Sequence, residues 1–217
     1  MKRFLALTLI VLGLSLSSFS DINFSSASTH RLTKQYTNLQ SGDIIFQTSS
    51  SGLSGAIQLA TRSKYSHCGM VFKQNGGFYV LEAVGPVKAT PLTEWIAHGD
   101  GGKYVVKRLK NAATVLTADN LAKIKQVGEQ LKGKEYDLTF EWNDDRIYCS
   151  ELVWKMYKRG ANIEIGKLEK LKNFDLTSPL VKAKLKEHYG DKIPLNETII
   201  SPVAVFNSPL LVTVKSN

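Results

Sequence analysis

The chain has 217 residues, of which 43% are hydrophobic, 22% charged and 9% aromatic. These fractions are those of an ordinary globular protein, and they exclude wholesale disorder, a collagen-like chain and a coiled coil. Two cysteines are too few for a disulfide scaffold, and a chain of this length predicts one domain with a sizeable core. The formal net charge of +9 is compatible with an anionic partner but identifies none.

The N-terminus has the pattern of a secretory signal peptide. Residues 1–3 are a short basic segment, residues 4–16 are mostly apolar, and small polar residues follow over 17–20. The apolar run is shorter than the roughly 20 residues that a membrane-spanning helix needs. We predict a signal peptide over residues 1–20, a flexible lead-in over 21–40, and a mature protein that is periplasmic or secreted.

The rest of the chain, residues 41–217, is predicted to form a single domain. Its strands and helices segregate without a regular alternation, which favours an α+β fold over a doubly wound sheet. Asp119 is predicted to be the N-cap of the helix over residues 119–132. In chain order, the patterns predict a strand over 42–46, a helix over 53–61, hairpin strands over 66–73 and 78–83, a helical turn over 91–95, a strand over 103–109, helices over 119–132 and 146–159, and an apolar tail over 200–214.

The hairpin determines which side chains share a face. Asn75-Gly76 between two alternating apolar runs is a strong signal for a two-residue turn. This turn places Met70 opposite Leu81 on a face that is apolar along both strands, as a core face should be. A slip of one residue would turn the apolar side chains of one strand to the wrong face, so the pattern favours this register.

His67 and Glu82 lie on the other face of the hairpin as diagonal neighbours, and Gly69 leaves space between them. Each residue alone is typical of an ordinary half-buried histidine or a surface carboxylate. An imidazole and a carboxylate within reach of each other, in an otherwise apolar strand, indicate a functional pair. The carboxylate would fix the tautomer of the histidine and stabilise its imidazolium form.

Cys149 is the cysteine that such a histidine could activate. It lies near the start of the predicted helix over 146–159, where unpaired N–H groups and the helix dipole stabilise a thiolate and offer donors to an oxyanion. Cys68 is adjacent to His67 in sequence but points to the opposite face of the strand, which favours core packing. A Cys68–Cys149 disulfide is a second interpretation. A metal site formed by both cysteines, His67 and Glu82 has no support from ligand spacing.

Four segments, in this order, resemble the permuted papain-like amidases, the YiiX-type branch of the NlpC-like cysteine peptidase superfamily. They are Gly42-Asp43-Ile44-Ile45-Phe46, Ser66-His67-Cys68-Gly69-Met70-Val71, Leu81-Glu82-Ala83 and Tyr148-Cys149-Ser150-Glu151-Leu152-Val153. The apolar tail around Ser201-Pro202 is also similar to that branch, so the resemblance extends from residue 42 to residue 211. It implies a circularly permuted papain-like fold, with an antiparallel sheet packed against helices and the histidine strand preceding the nucleophile helix.

The resemblance also implies roles for individual residues. Cys149 matches the nucleophile, His67 the general base and Glu82 the residue that orients the histidine, and the chemistry needs neither a metal nor an organic cofactor. The family pattern leaves Cys68 unassigned. Tyr148 and Tyr136 are candidates for contacting the oxyanion or the substrate, although a tyrosine beside a helix start is more often a packing residue.

The predicted function is that of an exported cysteine hydrolase that cleaves an amide bond through a thioester. The family suggests cell-wall peptides or other amino-acyl amides as substrates. Two other interpretations stay open: a lipid-directed acyltransferase or esterase of the lecithin:retinol acyltransferase-like type, and a non-catalytic module that binds the cell envelope. The basic residues are scattered and carry no nucleic-acid motif, so an anionic envelope surface is the expected partner of the positive charge, and no oligomeric state is predicted.

Overall fold

The computed structural model describes residue 36 and residues 38–217, and its main element is a six-stranded antiparallel sheet. The strands of the described residues are β1 (Ile44–Gln47), β2 (His67–Gln74), β3 (Gly77–Ala83), β4 (Val87–Pro91), β5 (Val105–Leu109), β6 (Glu169–Lys170), β7 (Thr198–Ile199) and β8 (Leu211–Ser216). Across the main sheet the order is β4-β3-β2-β1-β5-β8, while β6 and β7 pair with each other. The sheet therefore has β1 and β2 at its centre.

Seven α-helices connect or cover these strands in the described part of the chain. They are α1 (Ser54–Thr61), α2 (Leu92–Ala97), α3 (Ala112–Val115), α4 (Ala118–Leu131), α5 (Cys149–Ala161), α6 (Pro179–Tyr189) and α7 (Pro202–Phe206). Short 3-10 turns occupy Asp100–Gly102 and Leu171–Asn173. Within the described ranges, none of the helices has the length and apolar character that a membrane crossing requires.

The β2–β3 hairpin has the predicted register. Met70 lies opposite Leu81 and Gln74 lies opposite Gly77. The turn residues Asn75 and Gly76 have φ angles of 50° and 78°, the left-handed conformation that a two-residue turn of this kind requires at both positions. The prediction from Asn-Gly and from the apolar alternation is confirmed.

One face of the central strands forms the core together with α4 and α5. Ile44 of β1, Met70 of β2 and Leu81 of β3 are buried there, and Leu152 and Met156 of α5 pack against them. This arrangement, an antiparallel sheet covered by helices, confirms the predicted α+β class. The nucleophile candidate lies at the first residue of α5, so the packing of that helix determines its position.

The two helices α4 and α5 approach each other closely at two glycines. A Cβ atom at Gly160 would lie 2.5 Å from the Cα atom of Ile124, and one at Gly128 would lie 2.3 Å from Leu81 Cδ2. No side chain fits at such distances without movement of its neighbours. These glycines therefore set the depth at which α5 packs on the sheet.

Several predicted boundaries are wrong. The first long helix begins after Thr117, whose hydroxyl accepts a hydrogen bond from Asn120 N–H, so Thr117 and not Asp119 is the N-cap. The nucleophile helix begins at Cys149, not at Arg146, and continues past Gly160 to Ala161.

Some regions contain helices or strands that the sequence did not predict. Part of the predicted N-terminal region lies outside the residues that the structure describes. Strand β4 and helix α6 were not predicted, and the apolar tail divides into α7 and β8. The predicted signal peptide over 1–20, and the predicted lead-in except for residues 36 and 38–40, lie outside the described residues.

Candidate active site

Cys149 is held at the start of α5 by contacts on both sides of it. Tyr148 N–H donates to Glu151 Oε2 at 3.3 Å, and the Tyr148 hydroxyl accepts from Ile200 N–H at 3.1 Å. Ser150 Oγ donates to the carbonyl oxygen of Ile200 at 2.7 Å. These buried bonds attach the first turn of the helix to the segment that follows β7, so the thiol has a fixed place beside the free N–H groups of that turn.

His67 and Glu82 form a short buried contact, with 2.6 Å between Nε2 and Oε2. Thr90 Oγ1 donates to the other carboxylate oxygen, Oε1, also at 2.6 Å. The indole ring of Trp95 stacks on the imidazole with 5.7 Å between ring centroids. The orientation of the imidazole is therefore fixed by a carboxylate on one edge and a ring on one face, as the shared-face argument predicted for His67 and Glu82.

Cys149 lies close enough to His67 for each to shift the pKa of the other, and Nδ1 is the ring nitrogen left to face the thiol because Nε2 faces Glu82. Burial alone would lower the pKa of His67, but the hydrogen bonds with Cys149 and Glu82 outweigh it and raise this pKa to about 10. Burial would raise the pKa of Glu82, yet the hydrogen bond from His67 brings it below the ordinary value. The three groups thus form a chain from carboxylate through imidazolium to thiolate.

Cys68 is buried in the core, as the strand alternation predicts, and it also lies near the nucleophile candidate. The polar groups of Cys68 are the largest influence that lowers the pKa of Cys149 well below its ordinary value, and His67 acts in the same direction. Both cysteines are free thiols in the structure.

The two candidate tyrosines have different surroundings. Tyr136 lies near Cys149, and burial raises the pKa of its hydroxyl well above the ordinary value, so the hydroxyl stays protonated and can donate. Tyr148 is 1% exposed, its ring packs edge-on against Phe140, and its hydroxyl is engaged with Ile200. The structure brings Tyr136 to the thiol and gives Tyr148 the position of an anchor for the helix start.

Two cavities meet at this cluster. The first has about 730 Å³ of empty space, including its opening, and Cys149 and Tyr136 are part of its wall. The rest of that wall is mainly apolar and comes from α1, α6 and the segments next to them. The second has about 1310 Å³, and its wall includes His67, Glu82 and polar residues such as Ser50 and Gln47. The nucleophile therefore faces an apolar cavity, and its histidine faces a more polar one.

Sequence reasoning did not identify Thr90 and Trp95 as supports of the pair. Thr90 lies on β4 opposite Val80, which makes it a diagonal neighbour of Glu82 on the same face. Prediction of β4 as a third strand of the sheet would have brought this hydroxyl to the carboxylate. Trp95 gave no comparable signal, because its place depends on how α2 folds back over the sheet.

Comparisons with known proteins agree with one another. Residues 38–215 match the family described as permuted papain-like amidase enzyme, YaeF/YiiX, C92 family. The chain is similar to the uncharacterized protein YiiX of Escherichia coli strain K12, with 55% identity over 175 residues that make up 81% of this chain and 85% of the relative. It is also similar to a crystal structure described as metalloprotein YiiX from Escherichia coli O157:H7, with a TM-score of 0.79 and 54% identity over 83% of this chain and 98% of that chain. These matches bear out the resemblance and the fold that it implied.

The description of that crystal structure as a metalloprotein raises the question of a metal site in this chain. Over the residues that the structure describes, no group of three or more histidine, cysteine, aspartate or glutamate side chains is arranged to hold a metal ion. The nitrogens of His67 instead face Glu82 and Cys149. Because these side chains face one another and do not converge on a common point, the described residues at this place do not fit a metal ion.

Proposed function

The chain belongs to the permuted papain-like amidases of the C92 family, and from that premise we propose that it is an exported cysteine amidase in which Cys149, His67 and Glu82 cleave an amide bond through a thioester. The observation that carries the proposal is the short buried hydrogen bond between Glu82 and His67, with Cys149 beside this pair at the first residue of α5. A thiolate paired with an imidazolium is the activated form of such a nucleophile.

In the first half of the reaction, the Cys149 thiolate attacks the carbonyl carbon of the amide. The negative charge that develops on the carbonyl oxygen is stabilised by N–H groups of the first turn of α5 and by the hydroxyl of Tyr136. The imidazolium of His67 then gives its proton to the nitrogen of the leaving amine. The C–N bond breaks, the free amine departs, and the acyl group stays on Cys149 as a thioester.

In the second half, His67 is neutral and can act as a base. It takes a proton from a water molecule, whose oxygen attacks the thioester carbonyl. The C–S bond breaks, the acid is released, and the thiolate is restored beside the imidazolium. Glu82 stays ionised throughout and keeps the imidazole oriented, because its hydrogen bonds with His67 and Thr90 hold its pKa low.

The two cavities support a placement of the two parts of the substrate. The proton donor His67 lines the more polar cavity, so the leaving amine lies there, and the acyl group on Cys149 extends into the apolar cavity. This favours an amide with an apolar acyl part and a polar amine part over a substrate that is polar throughout. Amino-acyl amides with apolar side chains and cell-wall peptides with an apolar residue at the cleaved bond fit this description.

A lipid-directed acyltransferase or esterase is the second candidate, because the wall of the cavity beside Cys149 is mainly apolar. The chemistry up to the thioester would be the same, and the difference lies in the group that is cleaved and in the acceptor. The experiment offers the mature protein three substrate sets in parallel: amides with short and long acyl chains, short wall peptides, and phospholipid vesicles. Products are identified by mass spectrometry.

Release of amine from the amides or peptides, lost in Cys149→Ser, is the expected result. Acyl transfer or ester cleavage from vesicles alone would favour the second candidate. Turnover that survives Cys149→Ser would contradict both, and binding without any turnover would favour the non-catalytic envelope module.

Export is a separate part of the proposal. It rests on the signal-peptide pattern of residues 1–20. Removal of Lys2 and Arg3 with that peptide leaves a formal net charge of +7, which supports attraction of the exported protein to an anionic envelope surface. Expression of the full chain in a bacterium, followed by cell fractionation and mass measurement of the recovered protein, tests it. A shortened protein in the periplasm or medium is expected, whereas a full-length cytoplasmic protein would contradict export.

A further inference from the structure

A buried amide side chain lies next to the candidate histidine. Gln47 of β1 lies directly opposite His67 of β2, and opposed residues of an antiparallel pair point to the same face of the sheet. The Gln47 side chain is therefore on the face that carries His67 and Glu82, not on the core face. Gln47 is 2% exposed, and it belongs with His67 to the wall of the more polar cavity.

The fold does not use this amide fully. Gln47 Oε1 is buried and has no hydrogen-bond partner among the residues that the structure describes. Serine hydroxyls of the same wall are paired, by contrast. Ser66 Oγ accepts from Ser49 N–H at 2.9 Å, and Ser50 Oγ donates to the carbonyl oxygen of His98 at 3.2 Å. A buried amide without a partner costs free energy that a methionine or leucine would not cost, so a ligand in the cavity is the group that can use it.

The segment after α2 leaves room for this amide. A Cβ atom at Gly99 would lie 2.3 Å from Gln47 Oε1 and 3.0 Å from Gln47 Cδ, so a larger residue would displace the amide. Gly99 has an ordinary φ of −84°, so its backbone does not require glycine. Asp100 N–H donates to the carbonyl oxygen of Thr48 at 2.9 Å and attaches this segment to the end of β1. Because Oε1 is the amide atom nearest Gly99, Nε2 is on the side of the amide that is turned away from Gly99.

We propose that Gln47 is a specificity-determining residue for the leaving amine, whose Nε2–H donates to a carbonyl oxygen on the carbon next to the amine-bearing carbon. The inference rests on the proposed function, and it names amino-acid and peptide amines as the class that is preferred over alkyl amines. The Cβ atoms of opposed residues such as Gln47 and His67 are roughly 4.5–5.5 Å apart. In an amino-acid amine, only two carbon atoms separate the nitrogen from the carbonyl oxygen. A nitrogen that receives a proton from His67 therefore brings this oxygen within reach of the Gln47 side chain.

The test compares two leaving amines, alaninamide and isopropylamine, on the same acyl group and with the full mature protein. Both amines have the same branched carbon, and only alaninamide has the carbonyl group. Gln47→Met keeps the length of the side chain and removes the amide. We expect the ratio of kcat/KM for the alaninamide substrate to kcat/KM for the isopropylamine substrate to fall about fivefold or more, as for the loss of one hydrogen bond.

The ratio is itself a control, because both substrates use the same nucleophile and a general disturbance of the site would lower both rates together. Gln74→Met makes the same change at an exposed glutamine at the end of β2 and should keep the wild-type ratio. Gln47→Leu is a second apolar replacement and should behave like Gln47→Met. Thermal unfolding of each variant identifies those that do not fold.

An unchanged ratio in folded Gln47→Met or Gln47→Leu would overturn the inference. Failure of the proposed function is a different result, in which neither substrate is cleaved or cleavage survives in Cys149→Ser. Titration of the protein with free alaninamide, followed by NMR, then still tests the inference, since the Kd should rise about fivefold or more in Gln47→Met. Equal Kd values, or no binding to the wild type, would overturn it.

Discussion

Glu82 acts on the nucleophile through one short hydrogen bond to His67. In Glu82→Gln the imidazolium loses its counter-charge, so the pKa of His67 falls and the Cys149 thiolate loses its cationic partner. We expect amide turnover to fall by about two to four orders of magnitude and the midpoint of Cys149 alkylation to move to higher pH. Steady-state rates and pH-dependent labelling measure the two effects.

The control for this change is Glu94→Gln, which removes an exposed carboxylate from α2, the helix that carries Trp95. It should leave the rate and the labelling midpoint as they are. Equal rates in wild type and Glu82→Gln would mean that Glu82 only packs beneath His67.

The raised pKa of His67 predicts how its contribution to stability depends on pH. The pKa is about 10 in the folded protein and about 6.5 in the unfolded chain, so the contribution is complete below pH 6.5 and is lost as the pH rises through 10. The difference in unfolding free energy between wild type and His67→Gln should be larger near pH 6 than near pH 11 by more than about 1 kcal/mol. Urea titrations at both pH values measure it, and a difference that is constant with pH would contradict the assigned charge state.

At the scale of elements, the crossing of α4 and α5 controls where Cys149 lies. A methyl group at Gly160 would meet the backbone of Ile124, which cannot move away without separating the helices, whereas at Gly128 it would meet the ends of the Leu81 and Met156 side chains. We therefore expect Gly160→Ala to cost about 3 kcal/mol or more of unfolding free energy, and Gly128→Ala to cost about 1–3 kcal/mol. Denaturant unfolding compares them.

Gly52→Ala is the matched control for these two changes. Gly52 has open space around its Cβ position and no left-handed backbone, so the change should be neutral or slightly stabilising. If Gly160→Ala were as mild as Gly52→Ala, the helices would not be in close contact at that point.

The elements also show why the sequence predicted the hairpin better than the nucleophile helix. The register of β2 and β3 follows from local information, the Asn75-Gly76 turn and strict alternation, and both are properties of one short segment. The start of α5 depends on distant contacts, since Ile200 binds the residues on both sides of Cys149. The apolar periodicity of the sequence continues on the N-terminal side of Cys149, so it does not show where α5 begins.

The same difference between local and distant information applies to the candidate site. The pairing of His67 and Glu82 follows from the hairpin alone. The approach of Cys149 to His67 does not, because it depends on how α5 docks at the end of the strand. Alternation correctly predicted that Cys68 is a core residue, and it carried no information on which helix residue lies above it.

For the whole molecule, the position of Cys149 between two cavities predicts that substitutions on either side change different parts of substrate preference. Ala60 of α1 lines the apolar cavity, and Ser50 lines the more polar one. Ala60→Leu takes up space that the end of a long acyl chain would use, and each methylene that stays outside costs about 0.8 kcal/mol. We expect kcat/KM to fall at least about tenfold for a long-chain amide and to stay nearly unchanged for an acetyl amide of the same amine.

Ser50→Leu should instead alter the ranking of amines and leave the dependence on acyl length intact. Rates for a small matrix of acyl groups and amines measure both effects, and an equal loss for short and long acyl chains in Ala60→Leu would mean that the acyl group lies elsewhere.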